Sequence, residues 1–189
     1  PPALDDLAVV GELGLDGSLR PVPGTLALVD AVEAKRVLVP TAAHHEARLV
    51  ERVEVVSAST LGEVIEALRG APWPDPPPEP PPVPRPPEPD LADVRGQPVA
   101  RLAIEVAAAG AHHVLLVGAP GAGKTMLARR LPGLLPDLTP DEAMVATRAH
   151  SAAGVGIPGG LVSRPPFRAP HHSATMVALV GGGTAALRP

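Results

Sequence analysis

The sequence predicts an α/β fold in two modules joined by a proline-rich segment, and three observations predict it. Helix-like and strand-like stretches alternate through residues 1–71; proline fills twelve of the eighteen positions 72–89; and an apolar run at 112–118 opens into a glycine-rich loop followed by a helical pattern. The domain organisation read from this is 1–71, a linker at 72–89, and a second module at 90–189.

In the first module, LGLDGSLRPV sets Asp16-Gly17 among Leu13, Leu15 and Leu19, which is a hairpin signal. TLALVDAVEA (25–34) reads as helix, RVLVP (36–40) as strand, AAHHEARLVER (42–52) as helix and VEVVS (53–57) as strand. TLGEVIEALRG (60–70) carries Thr60 and Glu63 in capping-box spacing and Gly70 as a stop.

The segment PWPDPPPEPPPVPRPPEP removes amide donors and fixes φ so often that neither helix nor sheet persists. As polyproline II it would reach about 55 Å at about 3.1 Å per residue. It reads as a spacer, with a PxxP ligand for a partner domain as the sharper alternative.

In the second module, DLADVRGQ leads into PVARLAIEVAAAG (98–110). Pro98 suits a first turn, Val99, Leu102, Ile104 and Val106 predict a largely buried helix, and Gly110 ends it. HHVLLVG (112–118) reads as a buried strand, and MLARRL (126–131) as a helix running to Pro132. TPDE at 139–142 starts a further helix, with Thr139 as cap, Pro140 at the first position and Glu142 at the third. From Gly154 onward, through the triple glycine at 181–183, hairpins and loops are expected.

Composition bounds the chemistry. At 45% hydrophobic residues and a mean hydropathy of +0.17 the chain reads as a soluble globular protein, with Trp73 and Phe167 as its only aromatics, so Leu, Val and Ala must build the core. No apolar run approaches the roughly eighteen residues of a membrane span, and the acidic start PPALDDLAVV does not resemble a signal peptide; a cytoplasmic location is expected. Zero cysteines exclude disulfides, thiolate metal sites and cysteine nucleophiles. A net charge of −4 argues against coating nucleic acid by bulk electrostatics and leaves room for a local basic patch. Pro1 in place of an initiator methionine suggests a fragment.

The glycine-rich loop carries the clearest chemistry. Gly118, Gly123, Lys124 and Thr125 satisfy G-x-x-x-x-G-K-[ST] between a predicted strand and a predicted helix. Glycines let successive amides turn toward phosphate oxygens, Lys124 neutralises the β- and γ-phosphates and serves as the catalytic cation, and the Thr125 hydroxyl ligates Mg²⁺. The expected nucleotide contacts are Gly118, Ala119, Pro120, Gly121, Ala122, Gly123, Lys124, Thr125 and Met126, with ATP and Mg²⁺ as cofactors. Hydrolysis needs in addition an acidic residue after an apolar strand. Residues 126–189 contain no run of four apolar residues followed by Asp or Glu, and the last acidic residue is Glu142; the stretch is therefore expected to bind nucleotide without turning it over.

DVRGQ, a helix, HHVLLVGAPGAGKTMLARRLPGLLP, LTPDEA, FRAPHHSAT and ALVGGG, in that order, closely resemble the ComM/YifB family of magnesium-chelatase-like AAA+ ATPases. The resemblance implies a P-loop AAA+ domain at 90–189, a hexameric homo-oligomeric ring and, for ComM, a helicase that drives branch migration during natural transformation. GELGLDGSLRPVPG and the module around it resemble the C-terminal part of the Lon-protease-like domain of the same family. PGTLALVD lacks the lysine of the Ser–Lys pair, so no proteolysis is implied, and this helical stretch is a few residues shorter than the family's. Family members continue beyond the triple glycine into an apolar strand ending in Asp-Glu, then sensor residues and an arginine finger. The resemblance also puts Val94 and Gln97 near the adenine.

Two secondary sites follow. Arg164, Phe167, Arg168, His171 and His172 gather cationic or ionisable groups around one aromatic, either as a DNA contact or as an insert packing on the motor or a neighbouring subunit. The histidine pairs 44–45, 112–113 and 171–172 are poor metal sites, because adjacent side chains diverge. The alternatives to a DNA motor are the magnesium chelatase motor subunit, disfavoured by FRAPHHSAT, and a truncated, non-enzymatic nucleotide-binding or ring-joining module.

Overall fold

The computed structural model describes residues 6–81, 88–157 and 159–177. These group into two compact units: one holds the described residues up to 81 with those of 144–161 and 172–177, the other 88–143 and 162–171. The fold is mixed α/β with a parallel sheet.

The first unit runs through β1 (Leu7–Val9), a hairpin of β2 (Glu12–Leu13) and β3 (Leu19–Arg20), α1 (Thr25–Ala31), β4 (Arg36–Pro40), α2 (His44–Ala47), β5 (Glu54–Ala58) and α3 (Leu61–Leu68). The hairpin closes over Asp16-Gly17, where Gly17 takes φ 81°, and pairs Leu13 with Leu19. β1, β4 and β5 form a parallel sheet in that order, with Val37 opposite Ala8 and Val55. Val37 and Val39 of β4 pack with Leu26, Val29, Ala47 and Val50 on one face, and Leu38 with Val56, Ala58 and Val64 on the other. Burial on both faces is why VLVP at 37–40 is an unbroken apolar run after Arg36.

α1 and α2 are shorter than their sequence patterns. α1 stops at Ala31, where the Arg52 guanidinium takes the carbonyls of Val29 and Asp30. After one turn at Thr41–Ala43 and another in α2, tight turns through Leu49 and Val50 carry Val50 and Val53 into the core. α3 has its capping box in both directions and ends at Gly70, φ 111°.

Residues 72–81 form neither helix nor strand, and 82–87 lie outside the described residues. Trp73 packs against the Leu38–Val64 cluster, His45 Nε2 lies 3.0 Å from the Pro78 carbonyl, and Arg48 donates to Glu79 at 2.6 Å. Trp73, Pro78 and Glu79 thus rest on the first unit instead of standing off from it as a spacer.

The second unit opens with a turn at Leu91–Asp93 capped by Asp90, then α4 (Pro98–Ala109), α5 (Lys124–Ala128) and the start of α6 (Pro140–Ala152). Leu91, Val94, Ile104 and Leu127 form its core. The Thr139 amide and hydroxyl both donate to Glu142, and these bonds hold the Glu142 carboxyl below the usual range. The later part of α6 contributes to the first unit, where Met144 packs on the core and the Ser151 hydroxyl meets Glu46.

Four expectations for this part of the chain are corrected. α4 is not largely buried: Ile104 and Ala107 are, whereas Val99, Leu102 and Val106 are 55–80% exposed. Residues 112–118 form no strand, because none of the described strands runs beside them; Leu115 and Val117 are exposed and only Leu116 reaches the core. α5 ends at Ala128, and the chain turns before Pro132. Among the described residues after Gly154 there are turns and bends but no hairpin, and the 181–183 glycines lie outside them.

Candidate functional site

The loop 118–125 is built by glycine conformations that other residues disfavour. Gly121 takes φ 80° and Gly123 φ 82°, and a Cβ on Gly123 would stand 3.1 Å from Gln97 Nε2. Ala122 N–H closes a turn onto the Ala119 carbonyl at 3.2 Å, and Leu127 N–H bonds the Gly123 carbonyl at 3.0 Å, starting α5.

Four carbonyls of this loop are bound from within the chain. Lys124 Nζ donates to Gly118 at 2.8 Å and Ala119 at 2.7 Å, Gln97 Nε2 donates to Ala122 at 3.2 Å, and Gly123 is taken by Leu127. The amides of Gly121, Gly123, Lys124 and Thr125 have no acceptor among the described residues. An ammonium has three donors, so Lys124 keeps one unspent. The Thr125 hydroxyl is exposed and makes no hydrogen bond among the described residues. The loop therefore presents donors and a cation with four of its carbonyls already engaged, an arrangement that suits a multiply charged oxyanion.

The predicted neighbours of the loop differ in kind. Val94 is 1% exposed and belongs to the core with Leu91, Ile104 and Leu127, so its side chain is spent on packing. Gln97 is exposed and touches the loop backbone. The sequence reading missed Arg130: its guanidinium bonds the Asp90 carbonyl at 2.8 Å, the Met126 carbonyl at 3.0 Å and the Asp93 carboxylate at 3.4 Å, tying the 90–94 segment to α5. No local spacing signals a contact forty residues apart.

Arg164, Phe167, Arg168 and His171 fall in the second unit, and His172 groups with the first. Arg164 is engaged by Asp137 at 3.1 Å and by Glu88, which neutralise its charge locally, while Phe167 is 45% exposed. Of the histidine pairs, His44 and His45 set their rings at 89°; His44 is buried and His45 meets Pro78. Among the described residues no three His, Asp or Glu side chains converge on a metal position, and none of the described helices is long and apolar enough to cross a membrane.

Residues 90–189 match the family described as magnesium chelatase, subunit ChlI. An uncharacterized protein of Mycobacterium tuberculosis is 48% identical over 98% of this chain and 38% of its own length. The uncharacterized protein YifB of Escherichia coli is 38% identical over 95% of this chain and 36% of its own, and the competence protein ComM of Haemophilus influenzae 40% identical over 96% and 37%. The chain belongs to the magnesium chelatase subunit ChlI family, as a ComM/YifB-like member. It spans somewhat over a third of the length of these relatives. The family match begins at Asp90, at the aspartate that caps the Leu91–Asp93 turn and whose carbonyl Arg130 holds.

Proposed function

We propose that this chain carries the nucleotide-binding segment of an AAA+ motor and takes ATP with Mg²⁺ on the loop 118–125. The observation that carries the reading is the polarity of the loop: the four carbonyls of Gly118, Ala119, Ala122 and Gly123 are bound from inside, and the amides of Gly121, Gly123, Lys124 and Thr125 have no acceptor among the described residues. Those amides and the Lys124 ammonium hold phosphate oxygens, and the Thr125 hydroxyl offers Mg²⁺ the hard oxygen ligand it prefers. Bound there, the nucleotide supplies a phosphoanhydride, and the residues of this loop bind and orient it.

The same reading makes the whole protein a ring-forming, homo-hexameric motor acting on DNA, with residues 90–189 as its P-loop module and 1–71 as a Lon-protease-like module. A relative named a competence protein and the stretch FRAPHHSAT support that choice over a chelatase subunit. Within the DNA candidates, Phe167, which is exposed, is the side chain to vary first, since Arg164 is committed to two carboxylates.

Titration of the chain with a fluorescent ATP analogue and Mg²⁺ tests the nucleotide site. Saturable binding is expected, weakened at least about tenfold by Lys124→Ala, roughly 1.4 kcal/mol, with the circular dichroism spectrum unchanged. Absence of binding by the folded wild type, or equal binding by Lys124→Ala, would overturn the reading.

A further inference from the structure

Gln97 stands at the N-cap of α4 with φ 51° and ψ 51°, a left-handed conformation that residues other than glycine seldom adopt. Strain of this kind persists where surrounding contacts over-determine it, and here they are on both sides. Behind Gln97, Leu91 and Val94 are buried with Leu127, and Arg130 ties Asp90 and Asp93 to the end of α5. In front, the carboxamide donates to the Ala122 carbonyl, and a Cβ at 123 would crowd it at 3.1 Å.

A trans peptide is planar, so its carbonyl and its N–H point in opposite directions. Holding the Ala122 carbonyl on the side of Gln97 therefore aims the Gly123 amide away from Gln97. We propose that Gln97 is a positioning residue of the phosphate loop: it fixes the Ala122–Gly123 peptide plane and so presents the Gly123 amide to phosphate. This rests on the nucleotide reading above and assigns Gln97 a role toward the loop instead of toward the base. A bound polyphosphate then meets an amide already oriented, and the ordering is not charged against binding.

The experiment measures affinity of the full chain for MgATP and for inorganic tripolyphosphate with Mg²⁺, in the wild type, Gln97→Glu and Gln97→Gly. Gln97→Glu keeps the volume and removes the donor; Gln97→Gly removes the side chain and relieves the left-handed strain. Both variants are expected to lose about five- to tenfold in affinity for both ligands, the effect of one ordering hydrogen bond, while Gln97→Gly melts no lower than the wild type. Loss for MgATP with tripolyphosphate binding intact would assign Gln97 to the base and overturn the proposal, as would unchanged binding of both. Affinity lost in step with a lower melting temperature in both variants would mark Gln97 as merely structural, which also overturns it. A wild type that binds neither ligand removes the nucleotide reading itself, an outcome distinct from the others.

Discussion

His44 is a buried imidazole, 4% exposed, and neither ring nitrogen has a hydrogen-bond partner. It lines a cavity of about 520 Å³ with Arg48, Ser57 and Pro74, and the Ser57 hydroxyl beside it is likewise unpartnered. Burial, reinforced by His45 and Arg48 and opposed by Glu79, lowers its pKa from the ordinary 6.5. The unfolded chain thus binds a proton that the folded chain refuses, and stability falls as pH drops below about 6.5 toward the depressed value. His44→Leu is expected to raise stability by about 1 kcal/mol at neutral pH, by removing two buried unpaired atoms, and to flatten the acid-side decline. Urea unfolding at pH 7.5 and 5.5 checks both; a variant as pH-dependent as the wild type would assign the decline elsewhere. At this scale, position was legible where the signal is local: Lys124 and Thr125 open α5 directly behind the left-handed Gly123. Gln97 meeting Ala122 and Arg130 meeting Asp90 were not, because the partners are 25 and 40 residues apart.

Three helices share one way of ending. After α3, Gly70 N–H bonds Ala67 and Ala71 N–H bonds Glu66; after α6, Gly154 bonds Ser151 and Val155 bonds His150. After α4, Ala111 bonds Ala108 and His112 bonds Ala107. This is the Schellman arrangement, with a left-handed residue just past the cap. Gly70 and Gly154 supply it at φ 111° and 67°, but behind α4 the left-handed residue is Ala111 at φ 52°, one position after the Gly110 that the sequence pattern marks as the stop. Ala111→Gly should therefore stabilise by about 1 kcal/mol and Gly70→Ala destabilise by about 1–2 kcal/mol. Equal and opposite effects are not required, but a destabilising Ala111→Gly in thermal unfolding would sink the assignment. Capping boxes at Thr60 and Thr139, the hairpin and both core strands of the sheet were legible because each is signalled within a few residues. HHVLLVG has the composition of a buried strand, yet a strand exists only by pairing, and the pattern cannot supply the neighbour.

At the scale of the whole molecule, the proline content of 72–89 excludes helix and sheet but says nothing of where the segment rests. Its contacts with His45 and Arg48 join residues more than thirty positions apart, so no local signal announces them. The contacts form a clasp of unequal parts. Trp73 against the Leu38–Val64 cluster is the apolar anchor, whereas the Glu79 pairs to Arg48 at 2.6 Å and His45 at 3.7 Å are exposed and screened by salt. Glu79→Lys sets like charges together and is expected to weaken the clasp by about 1 kcal/mol, with Arg48→Glu in the same chain restoring it. Trp73 is the sole tryptophan, so its fluorescence reports this segment alone. The expected result is easier acrylamide quenching and a red-shifted emission in Glu79→Lys, a similar but smaller change for the wild type in high salt, and recovery in the charge-swapped double variant. Quenching that ignores both substitutions and salt would show that Trp73 anchors without help from Glu79, leaving Pro78 and Glu79 beside His45 and Arg48 by the stiffness of proline alone.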